Sequence, residues 1–262
     1  MRFKITLHTD RTKGEINLPI NYQYELSSFI YRTIHAGNHE FGKWLHENGF
    51  ITEDKKFKLF TFSRFQIPNY KQYKDRLIIL SDELSFSLSF LPFKITEAFI
   101  SGAFKHQSFS IGDKESRVNF IIQGIEAMKE PDFKKEIQFK ALSPIVVTTN
   151  QYKDQRYGQY LKPGDDHYAA ILKNNLVRKY KAFCDFNGSE YDPNKIDGFK
   201  FDFINKPRKK GVDIKVNTPQ KSHIIGYQYE FAVSGPGELI RTGYYAGFGE
   251  KNSLGFGCCE AI

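Results

Sequence analysis

The chain has 262 residues, of which 40% are hydrophobic and 16% aromatic, and 38 Lys+Arg against 30 Asp+Glu give a formal net charge of +8. That apolar share is enough to bury a substantial core, which excludes a disordered chain, and the length fits one large domain or two ordinary ones. The basic balance points to a polyanionic partner, because neutralising phosphates releases counterions, and no window approaches the 18 apolar residues of a membrane span.

Residues 2–7 alternate, with Phe3, Ile5 and Leu7 on one face and Arg2, Lys4 and Thr6 on the other, the pattern of a half-buried strand and not of a signal peptide. Residues 16–20 extend as a second piece that Pro19 ends. A helix is predicted over 25–36, where Leu26, Phe29, Ile30 and Ile34 recur at helical spacing and Tyr31 and Arg32 fall off the stripe. Phe41, Trp44 and Leu45 suggest a short second helix, with Lys43 and His46 toward solvent. Strands are expected at 57–64, 76–81 and 84–90. Pro92 suits the first turn of a helix over 92–105, and a strand at 117–126 closes the half. The order β-α-β-β-α-β is the split βαβ pattern, ferredoxin-like or RRM-like.

Residues 126–134 read as a linker, after which the order repeats. A strand is expected over 136–147, ending in Ile145, Val146 and Val147. Asp165 or Asp166 is the expected cap of a helix over 166–184, with Ala169, Leu172, Leu176, Tyr180 and Phe183 on one face. Residues 198–205 and 211–217 suggest a hairpin joined by the basic turn KPRKKG. A strand at 222–233, a short helix near 236–246, a glycine loop and a last strand at 256–262 complete the chain. The expected class is therefore α+β, two tandem ferredoxin-like domains over 1–130 and 131–262, resting on element order alone. Cys184, Cys258 and Cys259 offer neither a zinc spacing nor a bridging pair, which fits a reducing, cytoplasmic setting.

The segment 243–257, GYYAGFGEKNSLGFG, pairs Gly247 and Gly249 with Gly255 and Gly257. Glycine turns the backbone at positive φ and permits close approach, which leaves amides to face phosphates, with Lys251, Asn252 and Ser253 between the pairs. The same residues fit a tight turn with no ligand. A dinucleotide fingerprint is excluded, because that needs a strand before the loop and a helix after it.

This loop, with LSPIVV at 142–147, LPINYQYELSSFIYRTI at 18–34, WLHENGF at 44–50 and FKLFTFS at 57–63, resembles the CRISPR-associated repeat-processing endoribonucleases of the RAMP superfamily from end to end. The resemblance implies the tandem ferredoxin-like fold and cleavage of precursor CRISPR RNA into guide RNAs, without a metal or other cofactor. The 2′-hydroxyl would attack, leaving a 2′,3′-cyclic phosphate and a 5′-hydroxyl. It also implies repeat RNA as partner, with an effector complex as a further one, on a monomer or homodimer.

By the same resemblance His46 matches the catalytic histidine, Tyr31 the tyrosine and Lys58 the lysine. His46 is then the base, since neutral imidazole serves near pH 7; Tyr31 transfers a proton or orients the scissile nucleotide, and Lys58 meets the developing charge. His35 and His39 are rivals to His46, and Lys55 and Lys56 lie close enough to replace Lys58. Lys206, Arg208, Lys209 and Lys210, with no acid between Asp202 and Asp213, suit RNA phosphates or simply a solvated turn, and Arg64, Arg241 and Lys251 are weaker candidates. The other reading is a non-catalytic repeat-RNA-binding paralogue or effector subunit.

Overall fold

The computed structural model describes residues 1–9, 15–53, 55–133, 136–149, 159–216 and 218–262, with the backbone alone at 194 and 195. Residues 134 and 217, the last of the expected linker and hairpin, lie outside the described residues.

Alternation places β1 (Arg2–Thr9) at the centre of the first sheet, with Ile5 and Leu7 fully buried. Burying such a side chain stabilises the fold by about 1.5–3 kcal/mol. β2 (Ile16–Pro19) leads into α1 (Gln23–Gly37) and α2 (His39–Glu47). The short strands β3 (Phe50–Thr52), β4 (Lys55–Phe57) and β5 (Phe60–Phe62) follow. The hairpin β6 (Tyr70–Tyr73) and β7 (Arg76–Ile79) pairs with β2. β8 (Glu83–Phe90), α3 (Phe93–Lys105), β9 (Ser108–Gly112) and β10 (Arg117–Ala127) complete the half. The sheet runs β5-β8-β1-β10-β9, every pairing antiparallel. Its strands β1, β5, β8 and β10 follow the ferredoxin-like order 2-3-1-4, and β9 is an added edge that the sequence pattern did not reveal.

The second half repeats this order. It comprises β11 (Ile137–Ala141), α4 (Tyr168–Asn187), β12 (Lys200–Phe203), β13 (Arg208–Ile214), β14 (Ser222–Gln228), β15 (Glu230–Ser234), α5 (Gly237–Ala246) and β16 (Cys259–Ala261). Its sheet, β12-β15-β11-β16, is again 2-3-1-4, and β13 and β14 form a two-stranded ribbon inserted between its second and third strands. A core of Phe139, Phe231, Val233, Leu172, Leu176 and Leu239 fills the space between sheet and helices.

Several expectations are corrected. The basic segment KPRKKG is not a hairpin turn: β12 pairs with β15 in the sheet, whereas β13 pairs with β14, so the chain changes sheets there. The single strand expected over 222–233 breaks at Tyr229 for the same reason, and that over 136–147 stops at Ala141. Neither Asp165 nor Asp166 caps α4. His167 precedes the helix at φ 67°, while Asp165 accepts from the Lys162 amide at 2.6 Å. Arg2, expected at a solvent face, is 2% exposed, because the second half closes over that end of the first sheet. Its Nη2 donates to Cys258 Sγ at 3.0 Å and its guanidinium lies 4.1 Å from the Tyr244 ring centre. The three cysteines are free and buried, and among the described residues no helix is long and apolar enough to cross a membrane.

Candidate active site

The buried stripe of α1, Leu26, Phe29, Ile30 and Ile34, turns Tyr31 to the edge of the core, where its ring meets Phe60 edge-on at 5.3 Å. Asn38 then ends α1 and caps α2, accepting from the Phe41 amide at 3.0 Å. Gly42 lets the two helices close up, since a Cβ there would stand 2.5 Å from the Cα of His35. The result places exposed His46, in the last turn of α2, beside Tyr31, with ring centres 5.3 Å apart and planes at 87°.

Lys58 arrives from the segment after β4 and donates to the main-chain oxygens of Leu45 at 2.5 Å and His46 at 2.7 Å. Those carbonyls belong to the last turn of α2, where the helix supplies no partner, so an ammonium is the favoured cap. Partial burial, and then the nearby Lys56 ammonium, pull Lys58 down to about 8. Burial pushes the Tyr31 phenol up to about 12, opposed by a hydrogen bond with Ser253, so its proton stays on the oxygen across the neutral range.

Tyr31, His46 and Lys58 line one cleft of about 1120 Å³ together with His35, His106 and Ser253. The tip of the β13–β14 ribbon, with Lys215, Gln220 and Ser222, also lines it. The His35 ring lies 4.2 Å from that of His39, which is outside the cleft. Lys55 and Lys56 do not line the cleft; they face a smaller pocket behind Lys58.

The glycine loop closes the floor, and the structure assigns its residues differently from the expectation that its amides are left for phosphate. Gly247, Gly249, Gly255 and Gly257 are buried, and the amides of Gly247, Gly255 and Gly257 donate to Gly243, Asn252 and Pro144. At Gly257, φ is 70° and a Cβ would meet the Phe248 oxygen at 1.9 Å; at Gly255, φ is 83° and a Cβ would meet the Phe62 ring at 2.5 Å. Asn252 is also buried, its amide nitrogen donating to the oxygens of Phe248 and Phe256 at 3.3 and 3.0 Å. Of the loop residues singled out, Lys251 is exposed and Ser253 half-buried.

The loop is pinned from both sides. On one side α1 holds it: Gln23 Nε2 donates to the Gly255 oxygen at 2.9 Å and Ser27 Oγ to the Ser253 oxygen at 2.6 Å. On the other, Lys179 of α4 donates to the oxygens of Gly247 and Gly249 and to Asn252 Oδ1 at 2.7, 2.6 and 2.7 Å. Lys179 is 2% exposed, and burial pulls its ammonium down to about 7. It escaped the sequence reading, although a lysine on the helical face of Leu172 and Leu176 was a legible signal. His106, Lys215 and Ser27 carried none.

Lys206 precedes β13, and Arg208, Lys209 and Lys210 lie on that strand, largely exposed. The six steps from Arg208 to Ile214 span roughly 20 Å at about 3.3 Å each, so the cluster and the cleft occupy opposite ends of the ribbon. Arg241 pairs with Glu130 at 3.7 Å, and Arg64 lies beside Tyr22; neither lines the cleft.

Comparison with known proteins covers nearly the whole chain. Residues 17–126 match the family model of the CRISPR-associated protein Cas6, N-terminal, and residues 128–261 that of Cas6, C-terminal. The CRISPR-associated endoribonuclease Cas6 1 of Methanocaldococcus jannaschii is 32% identical over 98% of this chain and 91% of its own. A putative CRISPR-associated endoribonuclease-like protein, Cas6nc of Pyrococcus horikoshii, is 31% identical over 94% and 93%. A solved Cas6-related protein of Pyrococcus furiosus superposes with a TM-score of 0.80 at 29% identity, covering 100% of this chain and 98% of that one.

Proposed function

The chain belongs to the Cas6 family of CRISPR-associated proteins, and from that membership we propose that it binds CRISPR repeat RNA and cuts precursor CRISPR RNA as an endoribonuclease. The observation that carries the reading is the convergence of Tyr31, His46 and Lys58, from α1, α2 and the segment after β4, on one cleft.

The chemistry that suits this set needs only the RNA. His46 takes the proton of the 2′-hydroxyl, whose oxygen bonds to the adjacent phosphorus while the bond to the 5′-oxygen breaks. The products are a 2′,3′-cyclic phosphate and a 5′-hydroxyl, the leaving oxygen taking up a proton. The Lys58 ammonium offsets charge on the phosphorane oxygens. The Tyr31 phenol, neutral and held by Ser253, orients the scissile ribose by hydrogen bonding. The reducing cytoplasm suits an enzyme whose three cysteines are free.

The competing reading is a repeat-RNA-binding paralogue without activity, which the endoribonuclease-like relative keeps in play. A labelled repeat RNA incubated in excess EDTA separates the two. A single cut, lost when the 2′-hydroxyl upstream of the break is removed, supports the enzyme. Tight binding with no cut supports the paralogue.

A further inference from the structure

A second, smaller pocket opens behind Lys58, with a volume of about 220 Å³. Lys55 and Lys56 of β4, Lys58, and Lys251 of the glycine loop line it, together with the buried Lys179. Among the described residues its one acid is Glu250, whose two carboxylate oxygens accept from Thr148 Oγ1 at 3.1 and 2.9 Å. Among the described residues Lys55, Lys56 and Lys251 have no ion-pair partner.

Lys58 and Lys179 already donate to oxygens of α2 and of the loop, whereas Lys55, Lys56 and Lys251 repel one another around one small volume, a repulsion that an entering anion offsets. A second observation points to what the anion brings with it. Asn175, one turn before Lys179 on α4, also lines the pocket, and its Oδ1 is buried with no hydrogen-bond partner among the described residues. An orphaned acceptor of this kind needs a donor, and inorganic anions are poor ones. A ribose hydroxyl beside a phosphate supplies both groups at once. Lys58 and Ser253 line the cleft and the pocket alike, so a strand lying in the cleft reaches the pocket with its next phosphate.

We propose that this pocket seats the RNA phosphate adjoining the one that is cut, paired by Lys55, Lys56 and Lys251, with Asn175 Oδ1 accepting from the attached ribose hydroxyl. The inference rests on the RNA-cutting function proposed above and adds to it a subsite that draws the scissile phosphate onto Lys58.

The test uses a repeat RNA made uncleavable by a 2′-deoxy nucleotide at the cut, with a neutral methylphosphonate placed in turn at each linkage. Wild type should lose affinity at the linkage adjoining the cut. The Lys55→Gln/Lys56→Gln variant should bind the unmodified RNA about tenfold more weakly, the loss expected for a charge-assisted contact. It should pay no further penalty for the methylphosphonate there, and its salt slope should fall by about 0.7 for one phosphate contact. Asn175→Asp, which sets a carboxylate against the phosphate, should weaken binding at least as much. Thermal melting confirms that these variants are folded. Variants that bind with wild-type affinity and keep the methylphosphonate penalty overturn the subsite while leaving the enzyme reading intact. A wild-type protein that neither binds nor cuts repeat RNA overturns both.

Discussion

Lys58 donates its ammonium to the main-chain oxygen of His46 at 2.7 Å, so the group that meets the developing charge also fixes the helix end that carries the base. Lys58→Ala should therefore damage both roles, and cleavage should fall further than loss of one electrostatic contact, about 10²–10³-fold, predicts. Because Lys58 is pulled down to about 8, the protonated form is lost as pH rises through that value, and the cleavage rate should decline on its alkaline side. Lys58→Arg, charged at all these pH values, should remove that decline even if its overall rate is lower. A rate–pH profile of both proteins under single-turnover conditions checks this.

His46→Ala should abolish cutting and leave RNA affinity nearly intact, since an exposed histidine at the cleft edge contributes little to holding the backbone. His39→Ala should cut normally, because His39 lies outside the cleft. Normal cutting by His46→Ala, with loss in His35→Ala, would move the base to His35.

Lys179 joins α4 to the loop through three acceptors. Lys179→Met leaves those acceptors unpaired and should cost on the order of 2–3 kcal/mol of stability near pH 7. With the native pKa lowered to about 7 and the unfolded value near 10.5, the unfolded chain binds more protons between those pH values, so the lysine's contribution rises with pH there. The gap between wild type and variant should widen by at most about 1.4 kcal/mol per pH unit above 7 and stay flat below it. Urea unfolding at several pH values reads this directly.

Gly257→Ala and Gly188→Ala separate backbone strain from crowding. Both positions have positive φ, 70° and 64°, but an added Cβ meets the Phe248 oxygen at Gly257 and nothing within 4 Å at Gly188. Gly188→Ala should cost about 1 kcal/mol, the strain alone, and Gly257→Ala clearly more, with loss of cleavage as the loop shifts. Melting curves and the cleavage assay together check it.

Replacing Arg208, Lys209 and Lys210 with Ala should weaken RNA binding and flatten its salt dependence without moving the cut site, because these residues sit at the end of the ribbon away from the cleft. An unchanged slope would remove the ribbon's basic end from the interface.

The period-2 and period-3.6 patterns of this chain carried most of its elements, and its segment motifs carried the family. Phe3, Ile5 and Leu7 in β1, or Leu26, Phe29 and Ile30 in α1, read correctly because each buries against its own sheet, and local spacing alone dictates which face turns inward. Tyr31, His46 and Lys58 were legible only as family matches; that they share a cleft follows from the glycine contact of α2 on α1 and the return of Lys58 to the end of α2. What tertiary structure alone decided are the places where the two halves, or two sheets, meet. Arg2 is buried because the second half covers a face that alternation marks as polar, and Lys179 because a loop distant in sequence brings it three acceptors. The basic segment after β12 changes sheets instead of turning, because β12 and β13 find different partners. Strand pairing and burial between distant segments depend on surfaces that exist only once each half is folded, and no local pattern encodes them.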